Sequence, residues 1–135
     1  MKKRKTTIYL LIPFLMITFG CKKISTPTEA SKAIFGSWQY KSNSGGFSGA
    51  GGSTTFNSEN WIKFTEKGLF RVYKGSKKES QKRFKIELKE SIYDSDLRQA
   101  IVYSFGKYET YQIFNDTLYI SDEVYDGYTY KYVRK

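Results

Sequence analysis

Five carboxylates fall in two tight clusters, Asp94 with Asp96 and Asp122 with Glu123 and Asp126, and metal or acid–base chemistry in this chain would have to be assembled from them. Neither spacing resembles a calcium loop, which needs more oxygen ligands and a closing bidentate Glu. A general acid and base made of two carboxyls would need opposed environments, and the pattern shows no such division. His is absent, which removes the usual general base and the commonest transition-metal ligand. Cys21 is the only cysteine, so neither an intrachain disulfide nor a thiolate zinc site can form. The expectation is a protein with no catalytic residues, no metal and no cofactor, whose chemistry is non-covalent binding.

Two further stretches invite chemical readings. Gly45, Gly46, Gly49, Gly51 and Gly52 surround Phe47, but no Gly-Lys-Ser/Thr follows them and no helix start supplies a positive dipole end for phosphate. They read instead as a loop at the mouth of a binding domain, with Phe47 as its lid residue. Lys74, Lys77, Lys78, Lys82, Arg83 and Lys85 make a basic hairpin. Nucleic acid would call for interleaved aromatics, and Phe84 is the only one in the run, so nucleic acid is not an expected partner. The hairpin reads first as a solvated surface and second as a contact for anionic lipid headgroups.

The elements that must position these residues are strands. Of 135 residues, 12 are Tyr and 10 are Phe, a composition suited to a pleated, half-buried surface. Alternating runs at residues 37–41, 61–65, 69–74, 81–88, 98–105, 108–114, 117–121 and 128–134 are separated by turn signals. Glu66-Lys67-Gly68 predicts a three-residue hairpin with glycine in the left-handed position, and Asn115-Asp116 predicts a two-residue turn. Eight strands joined in order by short turns predict an all-β, antiparallel up-and-down meander that closes into a barrel, since closure removes unpaired edges. A flattened barrel or sandwich is the alternative. Thr26-Pro27-Thr28-Glu29 has the form of a capping box, so either a short helix to about Ile34 or an irregular lead-in precedes the first strand.

The N-terminus reads as an address. Lys2, Lys3, Arg4 and Lys5 precede an apolar run at residues 8–20 that is shorter than the roughly 20 residues of a membrane span. Ile17-Thr18-Phe19-Gly20-Cys21 resembles the lipobox of bacterial lipoproteins, in looser form because Thr18 stands where that family prefers Leu. The resemblance implies cleavage after Gly20, lipidation and acylation of Cys21, and attachment to a membrane through that lipid. Loss of residues 1–20 would lower the formal charge from +10 by the four cations named above, to +6. Lys22 and Lys23 stand where surface-exported relatives carry acidic residues, which implies a periplasm-facing outer-membrane lipoprotein of the cell envelope. Residues 1–20 are thus read as signal, 21–33 as lipidated tether and short helix, and 34–135 as the barrel domain.

Gly36-Ser37-Trp38 at the start of the first strand and Arg134 at the end of the last resemble the early Gly-x-Trp and late Arg of lipocalins. The mature chain resembles the small lipocalin-like lipoproteins of Bacteroidetes-type bacteria. That resemblance implies that Trp38 and Arg134 form a barrel-closing pair. Trp38, Ile62, Phe64, Phe70, Val72, Phe84, Ile86, Tyr111, Ile113, Leu118, Ile120, Tyr130 and Tyr132 are expected to face inward, around either a packed core or a cavity. If there is a cavity, Phe47, Trp61, Phe64, Phe70, Tyr111, Tyr130 and Tyr132 are the residues expected to grip a small hydrophobic or amphipathic molecule. The expected protein is a monomeric ligand carrier. The alternative is an envelope interaction or inhibitor module without a cavity, using exposed tyrosines such as Tyr125 and Tyr128.

Overall fold

The computed structural model describes residues 29–46 and 59–135. Residues 1–20, Cys21, the capping-box residues before Glu29, and Phe47 with Gly49, Gly51 and Gly52 lie outside the described residues. After a one-turn helix α1 (Glu29–Lys32) come β1 (Gly36–Gly45), β2 (Asn60–Thr65), β3 (Leu69–Lys74) and β4 (Lys77–Glu90). They are followed by β5 (Leu97–Tyr103), a 3₁₀ turn (Ser104–Gly106), β6 (Tyr108–Phe114), β7 (Thr117–Asp122) and β8 (Tyr128–Arg134). Each strand pairs with the next, and β8 pairs with β1, so the sheet is a closed up-and-down barrel rather than a sandwich. The closing seam is long, from Trp38 opposite Arg134 to Gly45 opposite Tyr128.

Two strands run longer than the residue alternation predicts. β1 continues to Gly45 because a register shift between Tyr40 and Ser42 lets small residues go on pairing with β8. That shift also sets Asn43 opposite Tyr130, where an unbroken register would have set Ser42. β4 begins at Lys77, since Gly75-Ser76 alone makes the turn from β3. At the turn from β2, Gly68 takes φ +71, the left-handed conformation its position requires.

Alternation fills the interior. Trp38, Ile62, Phe64, Phe84, Ile101, Tyr111, Leu118, Ile120 and Tyr132 are buried in one cluster, with Phe70, Val72, Ile86, Ile113 and Tyr130 packed against it. Phe64 meets Phe70 at 4.9 Å and Phe84 edge-on at 5.1 Å between ring centres, geometries that add to plain area burial.

One end of the barrel is sealed by the lead-in to β1. Trp38 is fully buried and its indole N–H donates to the Ile34 carbonyl at 2.7 Å. The Arg134 guanidinium lies 4.1 Å from the centre of the Trp38 ring. It donates to the Phe35 carbonyl at 3.1 Å and the Ala33 carbonyl at 2.7 Å, tying the last strand to the segment before the first. Gly36 makes this approach possible: it has φ +128, and a Cβ there would stand 2.9 Å from an Arg134 guanidinium nitrogen. Gly36→Ala is expected to cost about 1–3 kcal/mol, from backbone strain and from displacement of Arg134. A thermal melt compared with the parent chain checks it; an unchanged melting temperature would contradict this packing.

The β4–β5 hairpin reaches over to the β7–β8 turn. Glu123 accepts from the Thr110 hydroxyl at 2.6 Å and from the Ile92 backbone N–H at 2.8 Å, while the Tyr93 hydroxyl donates to the Val124 carbonyl at 2.8 Å. These bonds occupy Glu123 in a structural strap between the two segments, while Asp94 pairs with Arg98. Among the described residues, no group of His, Cys, Asp and Glu is placed to hold a metal ion.

Candidate ligand-binding site

The barrel interior is not completely filled. A cavity of about 660 Å³ is lined by Ile62, Phe70, Val72, Ile120, Tyr130 and Tyr132 in its walls, with Tyr103 and Glu109 on the adjoining strands. Lys82, Arg83, Ser104, Phe105 and Lys107 stand along its rim. In an up-and-down barrel the β3–β4, β5–β6 and β7–β8 turns share one end, and the Trp38–Arg134 seal lies at the other. The volume is in the range of small-molecule pockets, and apolar walls with a few convergent polar groups are what such pockets share.

The polar centre of the cavity comes from strand parity. On β6, Glu109 shares its face with Tyr111 and Ile113, and it sits opposite Ile101 on β5. Its side chain therefore enters the barrel. The Tyr103 hydroxyl donates to a Glu109 carboxylate oxygen at 2.7 Å. Burial pushes the Glu109 carboxyl above the usual carboxylate range, with Asp122 adding to the rise while Tyr103, Lys107 and Lys82 oppose it. Tyr103 is pushed far up by its own burial and by the charge of Glu109, so it stays a neutral donor. Burial likewise raises Tyr130 and Tyr132 and pushes Tyr111 up to about 12.

A raised carboxyl has a stability consequence with a definite sign. Because the folded value lies above the unfolded one, the fold disfavours ionised Glu109: its stabilising effect is present below the unfolded value and is lost as pH rises through the folded value. Glu109→Gln is therefore expected to stabilise the empty barrel at neutral pH by about 1 kcal/mol. That gain should shrink as pH falls through the carboxylate range, which melts of the two proteins across pH would read. Tyr103, Asp122, Tyr130, Tyr132, Lys82 and Lys107 face the same group and are unchanged in the comparison.

Of the residues expected from sequence to grip a ligand, Phe70, Tyr130 and Tyr132 line the cavity. Phe64 and Tyr111 face inward but belong to the packed cluster, where Phe64 is fully buried. Trp61 requires a correction. It alternates with buried Ile62 and so lies on the outer face, stacked on Tyr73 at 3.8 Å with its indole N–H given to the Gly75 carbonyl at 2.7 Å. The Lys135 ammonium covers the same ring at 4.2 Å. Trp38 and Arg134 are brought together at the sealed end, as described above. Phe47 and Cys21 lie outside the described residues.

Sequence reasoning missed Tyr103, Glu109 and Lys82 as cavity residues. A signal was available: each shares parity with an apolar inward neighbour, Ile101, Tyr111 and Phe84 respectively, and a charged residue at an inward position is the kind of local conflict that marks a site. The basic hairpin divides accordingly. Lys82 and Arg83 stand at the cavity rim, whereas Lys77 pairs with Glu79 and Lys85 with Glu87 on the exposed surface. No protein-family model matches this chain, and comparison with curated proteins returned no match.

Proposed function

We propose that this chain is a lipid-anchored, lipocalin-like envelope lipoprotein that carries a small amphipathic molecule non-covalently in its barrel. The observation that carries the reading is the cavity of about 660 Å³, with branched and aromatic walls and the Tyr103–Glu109 pair beside them. A core built only for stability fills its interior to near-crystalline density and leaves no charged group inside. Here the sealed end is packed in that way and the other end is not. Burial of an apolar ligand surface would supply affinity, and the hydroxyls and the carboxylate would orient its polar end.

A neutral fluorescent lipophile, N-phenyl-1-naphthylamine, tests the carrier reading directly. Saturable enhancement with one site per chain supports it; a flat titration, with the barrel still folded by circular dichroism, overturns it. The anchor has its own test. Cys21→Ser is expected to move the protein from the membrane to the soluble fraction of its host and to abolish incorporation of labelled fatty acid. The rival reading, an interaction module, draws on the exposed Val124 and Tyr125 of the β7–β8 turn and on Leu88 and Leu97 of the β4–β5 hairpin. Those side chains lie on the two segments that the Glu123 and Tyr93 bonds hold together, and the cavity gives the carrier reading the stronger support.

A further inference from the structure

We infer that the ligand presents a protonated amine to the cavity, held by the Glu109 carboxylate that Tyr103 positions. The inference rests on the carrier reading above and specifies the chemical class of its ligand.

A carboxylate is an acceptor with about four lone-pair sites, and the phenol of Tyr103 takes one of them at 2.7 Å. Among the described residues, Glu109 makes no ion pair. Its neighbours in the cavity wall are apolar or aromatic, Ile120, Phe70, Tyr103, Tyr130 and Tyr132, while the Lys82 and Lys107 ammoniums act on it from the rim. Such a carboxylate lacks the contact ion pair that buried charges ordinarily have, since both ammoniums act on it only from the rim, and the ring faces beside it attract cations rather than anions. The Lys82 ammonium shows that a cation is accommodated near this spot, since it stands 5.7 Å from the centre of the Tyr103 ring.

The rim argues for the opposite polarity, because Lys82, Arg83 and Lys107 would draw an anionic head to the mouth. Those three side chains are exposed, so solvent and salt screen them and their pull on a bound group is weak. Glu109 acts from inside, where screening is least, and Asp122 opposite it on β7 has the same sign. An anion pushed as deep as Glu109 would meet both carboxylates. The interior therefore decides the polarity of the buried end, and the apolar walls take the remainder of the ligand.

Three probes of the same size and shape, 4-phenylbutylamine, 4-phenylbutanol and 4-phenylbutyrate, separate the possibilities, measured by calorimetry on the full chain solubilised in a non-ionic detergent. The parent protein is expected to bind the amine at least about tenfold more tightly than the acid, with the alcohol between them. Glu109→Gln should erase that preference and leave the alcohol within about threefold of the parent. Tyr103→Phe should weaken the amine less than Glu109→Gln does, since the carboxylate remains but is no longer held. Tighter binding of the acid, or an amine preference that survives Glu109→Gln, overturns the inference while the carrier reading stands. Binding of none of the three overturns both.

Discussion

Trp38→Ala is expected to remove most of the stability of this domain. Trp38 is fully buried at the sealed end of the barrel. Truncating a buried Trp costs about 3–5 kcal/mol through lost transfer energy and the cavity left behind. Two further losses follow here: the Ile34 carbonyl loses its 2.7 Å donor, and Arg134 loses the ring beneath its guanidinium, a contact worth on the order of 1 kcal/mol. Small domains hold only about 5–15 kcal/mol in total, so the variant should melt roughly 15–30 °C below the parent or fail to accumulate. Trp61→Ala is the matched control. Trp61 lies on the outer face, stacked on Tyr73 and half-exposed, and its loss should cost about 1 kcal/mol. Equal effects of the two substitutions would contradict the inside–outside assignment of β2 and the seal.

The second large effect concerns binding rather than folding. Val72 on β3 and Tyr130 on β8 line the cavity from different walls and are only partly buried, so larger rings at these positions have space to enter. The double variant Val72→Trp with Tyr130→Trp should displace a ligand from roughly 100 Å² of wall, which at ~25 cal/mol per Å² is about 2.5 kcal/mol, or nearly a hundredfold in affinity. Its melting temperature should stay close to the parent's, because the added rings occupy empty volume instead of crowding packed side chains. Titration with N-phenyl-1-naphthylamine reads the binding and a melt reads the fold. Undiminished binding by the double variant would place the lipophile somewhere other than this cavity.

The strand order and most turns were legible because each strand is short and exposes one face, so hydrophobic alternation and turn chemistry agree. The 69–74, 108–114 and 128–134 segments coincide with β3, β6 and β8. Closure followed from counting strands and asking where their edges would go. What alternation alone does not encode is a register shift: the one between Tyr40 and Ser42 extends β1 through residues that read as loop and sets Asn43 opposite Tyr130. The β4–β5 strap was equally hidden, since it depends on Glu123 meeting Thr110, Ser91 and Ile92 from distant parts of the chain.

The site was half legible. Aromatic residues at inward parity pointed to Phe70, Tyr130 and Tyr132, but the search for aromatic grip led past the charged residues of the same parity. Glu109 went unread, since an isolated Glu in an alternating strand usually faces water; its shared parity with Tyr111 and its pairing with Ile101 and Asp122 show which face it occupies. Trp61 was drawn into the candidate set by its residue type, although its alternation with Ile62 already assigned it to the outside. In both cases parity was the better guide than chemistry, because in a closed barrel parity alone decides which side chains can reach a ligand.

The central claim is that the unfilled half of the barrel holds a small molecule in the cell. The most direct test is native mass spectrometry of the protein purified gently from its own host, with release and identification of whatever accompanies it, alongside the Val72→Trp, Tyr130→Trp variant prepared in the same way. A stoichiometric small amphiphile on the parent that is missing from the variant is the expected result. A parent that arrives at its bare mass and also gives a flat lipophile titration would contradict the claim and leave the exposed turns as the functional surface.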